Sequence, residues 1–341
     1  MHKILLGDTL EVGPLGFGGM ALTPVYGGVD PAEALKTLHH AADVGVTFID
    51  TANIYGAGSN EELIARLLKT RRGEVQLATK FALVGSPATG YSEIRGDAAH
   101  VRESIDQSLR RLGTDHVDLY YMHRRDVRVP LEETVGAMAE LVAAGKVRHL
   151  GLSEVTADEL RSAHAVHPIA AVQSEWSIWS RDVEAHVVPA AAELGVGMVP
   201  YSPLGRGFLT GTVHARDLGP GDFRHTIPRF ASGAIDANQA VVDAVRQVAE
   251  ELTGALGREA TPAQVALAWL YAQGRTLHAT VVPIPGTRRA ARIDENLGAL
   301  ALDLTPAQLD VLGKAADGVV GSRAKDPSWV SQGREQQAPG A

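Results

Sequence analysis

The chain has 341 residues, 45% hydrophobic and 21% charged, an ordinary globular composition with room for a large core. A formal net charge of −8 argues against nucleic-acid binding, and zero cysteines exclude disulfides, thiolate nucleophiles and cysteine metal sites. No apolar run approaches the ~18 residues of a membrane span, and MHKILLGDTLEVG is too short and polar for a signal peptide, so a cytoplasmic protein is expected.

Residues 3–16 read as a small hairpin, KILL and LEVG joined by a Gly-Asp turn. LGFG (15–18) then reads as the first strand of a strand–helix alternation. Pro31 behind Asp30 as N-cap opens a helix over 30–45. Further strands are expected at 46–50, 75–80, 117–122, 147–152, 170–174, 196–201 and 279–283. Helices are expected at 60–69, 98–112, 130–144, 156–165, 183–194, 236–257, 261–273, 289–300 and 305–316. Eight strands, nearly all separated by helices, predict parallel pairing, right-handed crossovers and closure on themselves. The expected fold is therefore α/β: a single (β/α)8 TIM barrel over 1–316, with an N-terminal β-hairpin and extra helices before strand 8 and at the C-terminus. Residues 317–341 read as a poorly ordered tail. Loops 81–97 and 205–235 are long, follow strands three and seven, and should rim the mouth and gate a substrate.

Three strands each deliver ionisable groups where they leave the sheet. FIDTANIYG (48–56) places Asp50 at a strand end and Tyr55 in the loop beyond, VQLATK delivers Lys80, and VDLYYMH delivers His123. Asp50 and Lys80 are uncomfortable charged alone in a desolvated place, and pairing keeps each ionised. A phenol beside that ammonium has its pKa lowered from about 10 and becomes a general acid toward a carbonyl oxygen. His123 can donate a hydrogen bond to the same oxygen. Any one of these residues alone reads as structural; the four together at one mouth read as a site.

VVPIPGTRRAARIDENLGAL (281–300) breaks at Pro283 and Pro285, turns at Gly286, and enters a helix with Thr287 as N-cap. Arg288, Arg289 and Arg292 crowd its first turns, where cations oppose the helix dipole. A bound phosphate explains them; a solvated basic face is the blander reading. VPYSPLGRGFLTG (199–211) carries Tyr201 out of strand seven into a loop whose glycines permit close approach of a ligand, so that its ring can stack on a flat one. GLSEV and QSEW end strands five and six with groups able to hydrogen-bond an amide. His164 and His167 lie at a helix end with no acidic partner nearby, and His39 and His40, adjacent in a helix, face different ways, so neither pair reads as metal ligands; Val155 stands where a nucleophile elbow needs glycine.

On the motifs GFGGMAL, FIDTANIYG, ATK, LYYMHR, GKVRHLGLSE, VQSEWS, YSPLGRGFLTG and VVPIPGTRRAARIDEN, the chain resembles the aldo-keto reductase superfamily from residue 3 to about 316. GLSEV and SPLGRGFLTG are similar to the branch of pyridoxal reductase and perakine reductase. The resemblance implies reduction of a small-molecule aldehyde or ketone by NADPH, with Tyr55 as proton donor, Lys80 and Asp50 lowering its pKa, and His123 orienting the carbonyl. NADP(H) would lie extended across the mouth, against Gly19, Met20 and Asp50. Tyr201 would stack on the nicotinamide, with Ser153 and Gln173 on its carboxamide. Ser202, Leu204 and Arg206 would line the pyrophosphate. Gly286, Thr287, Arg288 and Arg292 would hold the 2′-phosphate, and Glu295 and Asn296 the adenine. Glu154 stands where many members carry asparagine, and Gly286 where many carry a cation.

No metal, nucleic acid or membrane partner is expected, and the oligomeric state is not legible. Two other functions fit part of the pattern. Lys80 could form a Schiff base in a lyase, although a paired aspartate would keep it protonated. A cofactor-sensing regulatory subunit would retain every motif. Arg124 and Arg125, beside His123, read as rim ion pairs, with an acidic substrate as the sharper alternative. Tyr91, Phe223, Phe230 and Trp329 are candidate apolar walls for the substrate.

Overall fold

The computed structural model describes residues 2–86, 90–214, 218–219 and 221–336, and for 86 and 90–92 the backbone alone. The hairpin β1 (Ile4–Leu6) and β2 (Leu10–Val12) pairs antiparallel, turning at Gly7, which takes a left-handed φ of 60°. Leu6, Leu10 and Val12 point into a buried cluster with Phe48, Leu119, Tyr121, Val199 and Val282. The hairpin thus plugs the bottom of a barrel.

Seven strands form one parallel sheet: β3 (Phe17–Gly18), β4 (Phe48–Asp50), β5 (Gln76–Phe81), β8 (Val117–Met122), β9 (Val147–Ser153), β10 (Ile169–Glu175) and β11 (Gly197–Tyr201). Between β5 and β8 a surface hairpin, β6 (Leu83–Ser86) and β7 (Gly90–Ile94), occupies much of the loop expected at 81–97. The crossover helices are α1 (Pro31–Asp43), α2 (Ser59–Arg71), α3 (Ala98–Leu112), α4 (Leu131–Ala143), α5 (Ala157–Val166) and α6 (Val187–Glu193). After β11 come α7 (Ala234–Ala237), α8 (Gln239–Leu256) and α9 (Pro262–Thr276), then α10 (Ala290–Leu297), α11 (Pro306–Asp317) and α12 (Ser331–Glu335). Their starts are written locally. Asp30 accepts from the N–H of Ala32, and Thr156, Thr261 and Thr305 each close a capping box with Glu159, Gln264 and Gln308. No helix among the described residues is long and apolar enough to cross a membrane.

The eighth strand closes the barrel with an incomplete ladder. Val282 and Ile284 donate to the carbonyls of Met198 and Pro200 on one side, while the carbonyls of Pro283 and Pro285 accept from Gly16 and Gly18 on the other. The nitrogens of Pro283 and Pro285 would face β3 and have no proton to give, so no regular ladder forms there. The segment fills strand eight's place, and the (β/α)8 architecture stands.

The poor order expected of 317–341 is corrected over 318–336. That segment returns across the mouth, with Arg323, Val330 and Ser331 buried, and its last five residues lie outside the described ones. Of six non-glycine residues with left-handed backbone among the described residues, all but His278 gather at the mouth: Ala57, Ala82, Glu154, Ser202 and Arg206. Such conformations persist where surrounding packing enforces them, often at functional sites.

Candidate active site

β4 ends at Asp50, 1% exposed, and the adjacent β5 carries Lys80 with no exposure. Lys80 Nζ lies 2.5 Å from Asp50 Oδ1 and 2.8 Å from the carbonyl of Thr51. Burial pushes Asp50 up and Lys80 down, each opposed by the other's charge. The loop after β4 swings back through left-handed Gly56, Ala57 and Gly58, and Thr51 and Gly19 fasten the start of α2 beneath it through Asn60. That turn brings Tyr55 Oη to 3.3 Å from Lys80 Nζ.

β8 runs out at His123, whose ring stands edge-on to Tyr55 with centroids 6.0 Å apart. Burial first, then the charges of Arg124 and Lys80, hold its imidazole well below the usual histidine range, so it is neutral near pH 7. Its Nδ1 is buried without a partner among the described residues, which leaves Nε2 for a ligand. Asp50, Tyr55, Lys80 and His123 are therefore one cluster, as the sequence pattern predicts.

A cleft of about 750 Å³ opens from Tyr55 and His123 and extends over β11 to α10. Met20, Ser153, Gln173, Tyr201, Ser202 and Leu204 line it. So do Arg206, Gly286, Thr287, Arg288, Arg292, Glu295 and Asn296. Gly19 does not; it packs behind, where a Cβ would sit 2.6 Å from the carbonyl of Asp50. Gln173 donates from Nε2 to Asp50 Oδ2 at 2.8 Å, an unforeseen link that orients the carboxylate. Arg206 is held by Glu175 at 3.0 Å. At the far end Thr287 is not the N-cap of α10. That position is Arg289, and Thr287 Oγ1 accepts from the N–H of Arg289 to hold the preceding turn. The helix start carries no side-chain cap, although the N–H of Arg292 donates to the carbonyl of Arg289 at 3.1 Å. Arg288, Arg289 and Arg292 have no carboxylate partner among the described residues; Arg288 donates only to the carbonyls of Gly27 and Gly28.

A family model described as the aldo/keto reductase family matches residues 14–317. The chain belongs to the aldo/keto reductase family. Over 305 residues it is 43% identical to probable aldo-keto reductase 1 of Glycine max, covering 88% of this chain and 84% of that protein. A glycerol dehydrogenase from Gluconobacter oxydans superposes with TM-score 0.80 at 25% identity, over 93% of this chain and 95% of that one. The holo form of an aldo-keto reductase from Bacillus halodurans gives 0.74 at 26% identity, over 96% and 100%. Membership makes the protein an oxidoreductase of a family that reduces carbonyls.

This aldo/keto reductase adds residues that the sequence pattern did not reveal. Arg323 reaches back to Glu154, with both guanidinium–carboxylate contacts at 2.9 Å, and to Asp182 at 2.8 Å. Glu154 also accepts from Tyr201 Oη at 2.8 Å and from the N–H groups of Glu175 and Ser331. Burial opposes its ionisation, but Arg323 holds the carboxyl down at about 2. Glu154 faces this network and not the cleft, so its carboxylate is not available to an amide ligand. Lys325, Asp326, Trp329 and Val330 from the same segment line the cleft. No periodicity marks 318–336, so only contacts across the barrel could reveal them. Of the expected apolar walls, Phe223 and Trp329 line the cleft, whereas Phe230 is buried against Trp179 and Phe208. The side chain of Tyr91 lies outside the described residues.

Proposed function

We infer that the protein is an NADPH-dependent carbonyl reductase in which Tyr55 is the general acid. The observation that carries this reading is the contact of Lys80 Nζ with both Asp50 Oδ1 (2.5 Å) and Tyr55 Oη (3.3 Å) on the wall of a cleft. As the phenol gives its proton to a carbonyl oxygen, the ammonium behind it stabilises the charge left on the phenolic oxygen. Neutral His123 offers an N–H to the same carbonyl and fixes its direction. Asp50, held by Lys80 and Gln173, positions the ammonium and does not meet the substrate. NADPH, when bound, supplies the hydride.

The far end of the cleft fits a dinucleotide phosphate on its own terms. The uncapped start of α10 and three arginines with no carboxylate partner among the described residues converge there, and an anion satisfies both. Arg288 and Arg292 would hold the 2′-phosphate that separates NADPH from NADH, with Gly286 and Thr287 beside them and Glu295 and Asn296 toward the adenine. Tyr201 would face the nicotinamide, Ser153 its carboxamide, and Ser202, Leu204 and Arg206 the pyrophosphate. The motifs GLSEV and SPLGRGFLTG place pyridoxal-like aldehydes among the first substrates to try. Residues 1–316 would form the catalytic barrel, acting in the cytoplasm.

The test is NADPH oxidation with an aldehyde panel, wild type beside Tyr55→Phe. The variant is expected to lose about 10²- to 10⁴-fold in kcat while still quenching on NADPH binding. Equal turnover by both proteins would remove Tyr55 from the chemistry. Binding of NADH as tight as NADPH would remove the 2′-phosphate reading.

A further inference from the structure

We propose that the substrate is an aldehyde or ketone bearing a carboxylate, and that Arg124 binds that carboxylate beside the reacting carbonyl. The proposal rests on the reductase reading above and names the substrate class of the same site.

Four cations in or beside the cleft are matched by acids of this chain. Lys80 faces Asp50, Arg206 faces Glu175 at 3.0 Å, Arg224 faces Asp222 at 2.7 Å, and Arg323 faces Glu154 and Asp182. The unmatched ones fall into two groups. Arg288, Arg289 and Arg292 stand at the phosphate end, Arg124 stands beside His123 at the carbonyl end, and Lys325 lines the cleft from the C-terminal segment. The argument that assigns an anion to the first group applies to the second.

Arg124 follows His123 directly, and both line the cleft. Its Nη1 donates to the carbonyl of His123 at 2.7 Å and to Ser153 Oγ at 3.2 Å. Both acceptors are neutral. Its Nε is buried without a partner, and its second terminal nitrogen makes no bond among the described residues. Arg124 makes no ion pair among the described residues, although its charge is felt by Glu154; a half-buried guanidinium without a direct carboxylate partner is costly, and its planar fork matches a carboxylate edge-on. Its charge also contributes to the lowering of both His123 and Lys80, which places it close to the reacting groups.

The neighbouring arginine shows what a structural role looks like here. Arg125 donates to the carbonyls of Asp126 and Val129, lies 3.8 Å from Glu159, and does not line the cleft. The rim ion pair expected of both residues holds for Arg125 alone. Lys325 also lines the cleft, is exposed and forms no ion pair among the described residues, so it adds a second cation. Asp326 beside it also lines the cleft, with Oδ1 engaged by the N–H and hydroxyl of Ser328 at 2.9 and 2.7 Å.

The deciding experiment compares 4-carboxybenzaldehyde and succinic semialdehyde with their methyl esters, which keep the reacting aldehyde and remove the charge. In the wild type each acid is expected to exceed its ester in kcat/KM by about tenfold to a hundredfold, mostly through KM. Arg124→Met should bring that ratio close to one, and Arg124→Lys should restore part of it. NADPH quenching checks that each variant is folded and loads cofactor. No acid preference in the wild type overturns the proposal. So does an equal loss on acid and ester, or a weakened NADPH affinity, in Arg124→Met, because the arginine then serves the chemistry or the cofactor. The two readings fail differently. If the esters are reduced in a Tyr55-dependent manner without acid preference, only the carboxylate proposal falls; if neither acid nor ester is reduced, both fall.

Discussion

At the scale of single residues, the centre of the site is a buried charge pair whose parts cannot be removed independently. Lys80 and Asp50 are both desolvated, and each is stabilised chiefly by the other. Deleting one leaves an uncompensated ionisable group in the barrel mouth, a loss of about 3–5 kcal/mol for pairs of this kind. Lys80→Met should therefore unfold at markedly lower urea than wild type, and Asp50→Asn/Lys80→Met should recover part of the loss. Equal stability of the single and double variants would mean that the pair is not coupled. This behaviour was half legible beforehand. Charged residues at the ends of apolar runs point to pairing, but which acid meets which base depends on β4 lying beside β5. The bond from Gln173 to Asp50 spans 123 positions in the chain and leaves no local trace.

Among the elements, the returning C-terminal segment has the largest consequence. Arg323 joins Glu154 at the end of β9 to Asp182 before α6, and Glu154 in turn holds the hydroxyl of Tyr201. The segment thereby fixes the ring proposed to meet the nicotinamide. Glu154 has a folded value of about 2 against 4.5 for the free side chain. A depressed carboxyl stabilises the fold at pH above the unfolded value, and that contribution, about 3 kcal/mol at full size, is lost as pH falls from 4.5 toward 2. Asp182, pushed up by burial, works in the opposite sense, so the net effect is smaller. Urea unfolding between pH 6 and pH 3 should show the wild type losing more stability than Arg323→Met/Glu154→Gln. A parallel loss in both would put the acid sensitivity elsewhere.

The whole molecule depends on how the barrel closes. Strand eight and strand one approach so closely that a Cβ on Gly286 would lie 2.6 Å from the carbonyl of Gly18 and 2.8 Å from Ala21 Cβ. With proline nitrogens at 283 and 285, few hydrogen bonds hold this seam, so close packing must. Gly286→Ala forces backbone apart, and overpacking of this sort costs about 1–3 kcal/mol. The same shift displaces the turn that leads into α10. A lower melting temperature together with weaker NADPH quenching is expected; a loss of stability with unaltered quenching would separate the seam from the cofactor end.

Sequence by itself determined the local and periodic features: the strand–helix alternation, the cap at Asp30, and the chemistry ending β4, β5 and β8. Each of these is encoded within a few residues, by hydrophobic period or by a side chain reaching its own backbone. Only the tertiary structure decided the rest. The N-cap of α10, the burial of Phe230, the separate fates of Arg124 and Arg125, and the anchoring of 318–336 through Arg323 all depend on groups distant in sequence. A guanidinium carries the same charge whether it ends beside a carboxylate, a carbonyl or an open cleft. Closure of the barrel settles which.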